Sequence, residues 1–240
     1  MLGYRPSVCF DCTLKRGYVT RKNPERPQQL LAAAQQLFFT KGYENTSVSD
    51  IIQAVGVSKG AFYHHFDSKT AVLEAMVDAL ISQELALQQE IIADETLSAI
   101  PKWVQAFQVS VNWKTPRKDE MMAVFGLIKR KENIHLQHEI RNTMQQKVAP
   151  EFAKIILQGV AEGVFAVAQA EETAVLILAL IEHFSTALGD LVLNPEAYEN
   201  PIEVAQRILV ATQTAVERVL QAPAGSLPIM EPETISAWFE

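Results

Sequence analysis

Residues 46–69, TSVSDIIQAVGVSKGAFYHHFDSK, constrain the fold more tightly than any other stretch of this chain. Ser47 is placed to cap a helix, with Asp50 three residues on as the capping-box acid. Val48, Ile51, Ile52 and Val55 recur at helical spacing and give that helix one apolar side. Gly56 then supplies the left-handed conformation that ends a helix at little cost. Ser58 can cap a second helix over Lys59–Phe66, and Ser68 a third. Two short helices joined by three or four residues with a glycine form a helix-turn-helix, whose second helix enters the DNA major groove. The stretch predicts a DNA reader.

A longer pattern surrounds it. Leu30, Ala34, Leu37, Phe38, Gly42, Tyr43, Thr46, Ser47, Val48, Asp50 and Ile51 lead into Gly56-Val57-Ser58-Lys59-Gly60, Phe62-Tyr63, His65-Phe66 and Ser68-Lys69. Over roughly residues 26–75 this closely resembles the N-terminal domain of the tetracycline-repressor (TetR) family. The resemblance implies an all-α chain. A three-helix helix-turn-helix domain would be joined through a long helix to an α-helical ligand-binding and dimerisation domain. On this reading residues 23–69 are the DNA-binding domain, 70–221 the effector-binding and dimerisation domain, and 222–240 a tail.

The first helix is expected from Pro24 or Arg26 to Thr40, with Asn23-Pro24 as cap and first-turn pair. Its Leu30, Ala34, Leu37 and Phe38 should meet Phe62 and Phe66 in a small core. The recognition helix then offers Ser58, Lys59, Gly60, Ala61, Tyr63 and His64 to DNA. Gly60 and Ala61 are small enough for the backbone to approach base edges, and Ala61 gives a thymine methyl an apolar surface. Lys59 can bond guanine or phosphate. Thr46 and Ser47 sit at a helix N-terminus, where free amides bind phosphate. The resemblance implies phosphate contacts for Tyr63 and His64 and a backbone contact for Lys69. Competing readings are packing for Tyr63, a structural role for His65, and close helix packing for Gly60. Helix-turn-helix dimers read two half-sites about one helical turn, or a multiple, apart. A homodimer on double-stranded DNA with a palindromic operator is therefore expected.

The net charge of −7 fits a DNA binder once it is divided. Lys15–Lys69 carries eight Lys or Arg against four acids, a local +4, while residues 70–240 carry twelve against twenty-three, a local −11. Phosphate neutralisation needs positive charge only where the duplex lies, and an acidic body behind a basic head favours one docking orientation. The longest apolar run, Ala174–Ile181, is far short of the roughly 20 residues of a membrane span. Arg5, Asp11, Lys15 and Arg16 break up any secretory leader. No membrane association and a cytoplasmic location are expected.

Residues 1–22 have no helical period and read as a disordered extension. Cys9 and Cys12 lack the second ligand pair that a zinc ribbon needs. Arg16, Arg21, Lys22 and Arg26 can alternatively form a basic arm for the minor groove. Lys15-Arg16-Gly17 can also be encoded by a purine-rich run resembling a ribosome-binding site, with Val19 as the start.

Behind the head, helices are predicted over Ser68–Ala93, Leu97–Trp113, Thr115 to the basic run Lys129-Arg130-Lys131, Asn133–Glu162, Ala170–Leu193 and Pro201–Leu220. Thr115-Pro116 reads as cap and first-turn pair, and Pro150 should kink or divide its helix. By the family's architecture the last two helices form the dimer interface. One stripe would be Leu176, Leu180, Phe184, Leu188 and Leu191; the other Ile208, Leu209, Thr212, Val216, Val219 and Leu220. Helical bodies rich in large apolar residues hold ligands between helices. Trp103, Phe107, Met121, Met122, Phe125, Phe152 and His183 are the candidate lining for a largely apolar small-molecule effector, each singly also readable as plain core. Glu182-His183 would place one residue at the pocket and one at the partner, or both in a satisfied interface pair. His135 and His138 have metal-compatible spacing but no further ligand, so a solvated face is preferred and no metal or cofactor is expected. Ile235, Trp238 and Phe239 make the tail apolar enough to dock somewhere.

The leading functional expectation is a repressor released from its operator by the effector. An activator or co-regulator with the same head is the alternative. A helical enzyme or carrier is disfavoured, because no nucleophile–base pair, metal set or phosphate-binding glycine loop is visible in the sequence.

Overall fold

The computed structural model describes residues 26–240, so the two cysteines, the proposed arm before Arg26 and the Asn23-Pro24 cap lie outside it. Among the described residues the chain is helical, without strands. Three short helices, α1 (Arg26–Thr40), α2 (Val48–Val55) and α3 (Lys59–Tyr63), form the head. The long α4 (Lys69–Ile92) leads into the body: α5 (Ala99–Lys114), α6 (Lys118–Ile128), α7 (Ile134–Thr143), α8 (Ala149–Ala161), α9 (Ala170–Leu193) and α10 (Pro201–Leu220).

Two hydrophobic clusters organise the molecule. The head cluster joins Leu30, Ala34, Phe38, Ile51, Phe62 and Phe66 to Val72, Leu73, Met76 and Val77 of α4, and takes in Val124, Leu127 and Leu136 of the body. Half of α4 thus belongs to the head's core, so the two parts share packed side chains rather than a bare linker. The larger cluster fills the space among α5, α8, α9 and α10 and includes Leu227, Ile229, Met230, Ile235 and Trp238 of the tail.

Three expectations about the body need correction. Thr115 is not the N-cap of α6: it closes α5 with helical dihedrals, its hydroxyl donates to the Val111 carbonyl at 2.8 Å, and Pro116 sits in a 3-10 turn (Thr115–Arg117) before α6. Pro150 does divide its helix, but the break opens upstream, as a π turn over Met144–Val148. Pro150 would clash with the carbonyl four residues back and offers it no N–H; the wider turn accommodates both defects. The third concerns the proposed dimer stripes, which are largely intramolecular. Phe184, Leu188, Leu191, Leu209, Thr212, Val216 and Leu220 are buried within this one chain, whereas Leu176 and Val219 face outward.

In length and composition α9 would suffice for a membrane span, with mean hydropathy 1.7 over its most apolar window; the longest unbroken run was too narrow a criterion. Its Ala174, Ile177, Leu178, Phe184 and Leu188 are core residues, packed with α8 and α10.

Candidate nucleic-acid interface

The corner between α1 and α2 is pinned from inside. Thr46 is buried, its hydroxyl donates to the Gly42 and Leu37 carbonyls at 2.8 and 3.3 Å, and its N–H donates to Tyr43. The expectation that Thr46 meets phosphate therefore fails: its donors are already engaged within the fold. Ser47, next to it, is exposed and completes a capping box. Its hydroxyl accepts from the Asp50 N–H at 3.1 Å, and the Asp50 carboxylate accepts the Ser47 N–H at 2.7 Å. That backbone donor, the Lys41 ammonium at 2.9 Å and the Ser47 hydroxyl hold the Asp50 carboxyl well below the usual carboxylate range.

Gly56 ends α2 at φ +69°, as expected of a left-handed cap. Ser58 caps α3 by accepting the Ala61 N–H at 3.1 Å. The helix is shorter than predicted: it ends at Tyr63, and His64 and His65 form a turn. Helical hydrogen bonding persists through Phe66, whose N–H reaches the Phe62 carbonyl at 2.9 Å. Phe62 is fully buried and anchors the element, which leaves Ser58, Lys59, Gly60, Tyr63 and His64 on the open side and Ala61 half-buried. A Cβ added to Gly60 would meet nothing closer than the Ser58 hydroxyl at 4.0 Å. Packing against other helices therefore does not explain the glycine. The Lys59 ammonium lies 5.9 Å from the centre of the Tyr63 ring, so a cation and a phenol stand side by side on this surface.

Lys69 is more involved in the head than the sequence suggested. Its ammonium donates to the Tyr43 carbonyl at 2.8 Å and lies 4.1 Å from that ring's centre. Burial pushes the Tyr43 phenol up, and the ring also packs edge-on against Phe38 at 4.9 Å. Lys69 thus staples α4 to the α1–α2 corner while two of its three N–H donors remain for a phosphate.

The residues expected to line an effector site separate. Trp103, Phe107 and Phe152 meet as a buried trio, with ring centres 4.8, 5.9 and 5.4 Å apart. The Trp103 indole N–H is buried there without an acceptor. Phe125 packs on Gly189, where an added Cβ would stand 2.5 Å from the ring. His183 does not join them: it is exposed on the outer side of α9. A helical turn carries position 183 away from the face of Phe184 that enters the core. Met121 is half-buried against the main cluster. Met122 alone of the seven lines a cavity of about 670 Å³ between α6, the α9–α10 connection and the tail. Its other walls include Ile202, Trp238 and Phe239, which the sequence reading did not assign to a site. The apolar tail end signalled docking but not where. His135 turns to Glu74, Nε2 to Oε1 2.6 Å, rather than toward a shared site with His138.

Comparison with known proteins bears on the head most directly. Residues 30–76 match the family model described as bacterial regulatory proteins, tetR family. An uncharacterised helix-turn-helix regulator from Lactococcus lactis is 41% identical over 51 residues, 21% of this chain and 26% of that protein. The repressor KstR2 of Mycolicibacterium smegmatis is 28% identical over 142 residues, 58% of this chain and 67% of the relative. The chain spans only 26–31% of the length of several curated relatives it matches at the head. Over the whole fold, the structure of Bacillus subtilis FadR, solved in complex with stearoyl-CoA, superposes with a TM-score of 0.57 at 17% identity, covering 82% of this chain and 98% of that one. The head of this chain, residues 30–76, is thus similar to the reading domain of the bacterial regulatory proteins of the tetR family.

Proposed function

We propose that this protein is a homodimeric, sequence-specific repressor of transcription that leaves a palindromic operator when a small, largely apolar effector binds its body. The open face of α3 carries the reading. Ser58, Lys59, Tyr63 and His64 project from a helix anchored by Phe62, and Gly60 leaves room for base edges. Ser47 and Lys69 flank that face as phosphate contacts.

The partner-facing surface is the outer side of the last helices. Leu176 and Val210 are 61% and 51% exposed, and Leu157, Val160 and Val219 continue the apolar exposure. Isolated exposed apolar side chains need no explanation, but several on adjoining helices suit an interface. Exposed His183 belongs with this surface. The effector reading favours the Trp103–Phe107–Phe152 trio, because an orphan indole donor among aromatic rings offers a bound molecule both apolar contact and a hydrogen bond. The Bacillus relative of similar fold was solved with an acyl-CoA, which supports an apolar ligand class here. An intracellular, cytoplasmic setting follows from that role.

Fluorescence anisotropy on the DNA upstream of the protein's own gene, in a salt series, tests the reading. Tight binding that weakens steeply with salt, resists random competitor and is lost in Lys59→Ala/Tyr63→Ala is expected. Equal affinity for random duplex, repeated after selection from a random library, would overturn it.

A further inference from the structure

The tail is held by a row of polar side chains that the apolar patterning of α10 conceals. Gln213 Nε2 donates to the Met230 carbonyl at 3.1 Å and Gln206 Nε2 to the Pro232 carbonyl at 3.2 Å. Glu217 accepts the Leu227 N–H at 3.2 Å. Positions 206, 213 and 217 share one helical face, so α10 grips the returning backbone along about three turns. From α6, the Lys118 ammonium donates to the Ala237 carbonyl at 3.0 Å. These contacts seat Ile235 fully inside the core and make Trp238 and Phe239 one wall of the 670 Å³ cavity.

The cavity lies apart from the aromatic trio and has its own chemistry. Met122, Val192, Leu193 and Ile202 make its apolar lining, and the tail adds two aromatic rings. Three carboxylates, Asp119, Glu203 and Glu240, border it against one ammonium, and that ammonium is already bonded to Ala237. Glu203 is ion-paired to Arg207 at 3.0 Å. Asp119 and Glu240 have no hydrogen-bond or ion-pair partner among the described residues. In the same wall, Trp238 is 6% exposed, and its indole N–H is buried away from the open volume. An apolar volume of ligand size, aromatic rings and two unpaired carboxylates converge on one class of molecule.

We propose that this tail-built cavity is a second small-molecule site, selective for an organic cation with an apolar body. The carboxylates hold the charge, and Trp238 and Phe239 pack on the body. Selectivity for charge separates this site from the aromatic trio, whose contacts are ring on ring.

Isothermal titration calorimetry with benzoylcholine and its neutral carbon isostere, 3,3-dimethylbutyl benzoate, tests the site on the full-length protein. The pair has the same shape and ester carbonyl and differs in charge. Benzoylcholine is expected to bind about tenfold more tightly than the isostere. Asp119→Asn/Glu240→Gln should remove that preference and leave the isostere's affinity unchanged, with an unaltered thermal melt showing that the fold is intact. Trp238→Leu should weaken both compounds about equally, since it removes an aromatic wall and leaves the acids. Trp103→Phe should alter neither. Equal affinity for the two compounds, no binding of benzoylcholine, or an undiminished charge preference in the acid variant would overturn the proposal. Binding abolished by Trp103→Phe instead would place the ligand in the trio and also overturn it.

Discussion

Arg130, just after α6, is ion-paired with Glu44 in the corner between α1 and α2, and so ties the reading head to the body across 86 positions of sequence. The preceding residue, Lys129, pairs with Asp190 near the end of α9. The turn after α6 therefore grips the head with one residue and the core helix with the other. Beneath it, Val124 and Leu127 enter the head's own cluster, while Phe125 packs on Gly189. Any displacement of α6 relative to α9 would reach the corner that positions the recognition helix.

The Arg130–Glu44 pair is partly exposed on both sides, so its contribution to stability is expected to stay below about 1 kcal/mol. Glu44→Gln should lower Tm by no more than about 4 °C in low salt, and the difference from wild type should shrink in about 1 M salt. A calorimetric melt of both proteins at the two ionic strengths checks this. A large loss that salt leaves intact would mean that Glu44 has a packing role instead.

Gly60 separates folding from reading. Its α-carbon faces open space, and alanine is a better helix former than glycine by about 1 kcal/mol in a helix interior. Gly60→Ala is expected to leave Tm unchanged or slightly raised while weakening operator binding by about tenfold or more, since the methyl group stands where base edges approach. Parallel melts and anisotropy titrations decide it. Unimpaired DNA binding would remove Gly60 from the interface.

What the sequence could announce about the head differs from what it could announce about the body. Ser47, Asp50, Gly56 and Ser58 act through contacts three or four residues away, so cap chemistry is written locally and the structure repeats it. α9 and α10 begin and end where the periodicity places them, with Pro201 opening α10, and the Gly163 turn follows α8. Long-range partners were not legible. Periodicity marks Leu188 and Leu209 as apolar, but whether they face the chain's own core or a second copy depends on what packs there. Thr46 shows the same limit at short range. Its helix-start position suggested phosphate, while its actual partners, Leu37 and Gly42, are chosen by the path of the corner. The grip of Gln206, Gln213 and Glu217 on the tail had no sequence signal beyond polar residues on a helix.

The aromatic trio makes a graded prediction. Phe152→Ala removes a ring in contact with both Trp103 and Phe107 and should cost about 3–5 kcal/mol. Trp103→Phe should cost far less. It leaves a smaller void but deletes a buried donor without an acceptor, whose desolvation already costs about 1–3 kcal/mol. Urea unfolding of the two variants distinguishes them; comparable losses would show that the indole's bulk outweighs its orphan N–H.

Gly189 is required by its neighbour. A methyl group there would stand 2.5–2.7 Å from three atoms of the Phe125 ring, a packed core contact rather than a flexible side-chain tip. Gly189→Ala should destabilise the body by about 1–3 kcal/mol through overpacking. Gly189→Ala combined with Phe125→Leu should recover part of that loss, because the ring that clashes is gone. Chemical denaturation of the single and double variants tests the pairing, and additive losses would contradict it.

The capping box carries a pH signature. Asp50 accepts from the Ser47 backbone, Lys41 and the Ser47 hydroxyl, and all three favour its ionised form, so its folded-state pKa lies below the ordinary 3.8. A depressed folded-state pKa contributes stability that is present above the unfolded value and is lost as pH falls through the folded one. The head should therefore lose stability as the solution is acidified below about pH 4, and this carboxylate should contribute nothing to pH dependence near neutrality. Asp50→Asn retains an acceptor for the Ser47 N–H but loses the charge that Lys41 meets. The variant should start less stable than wild type at pH 7 and converge toward it as the pH is lowered. Thermal melts of both proteins from pH 7 to pH 3 provide the measurement. A difference that stays constant across that range would show that Asp50 contributes through its shape alone and not through its charge.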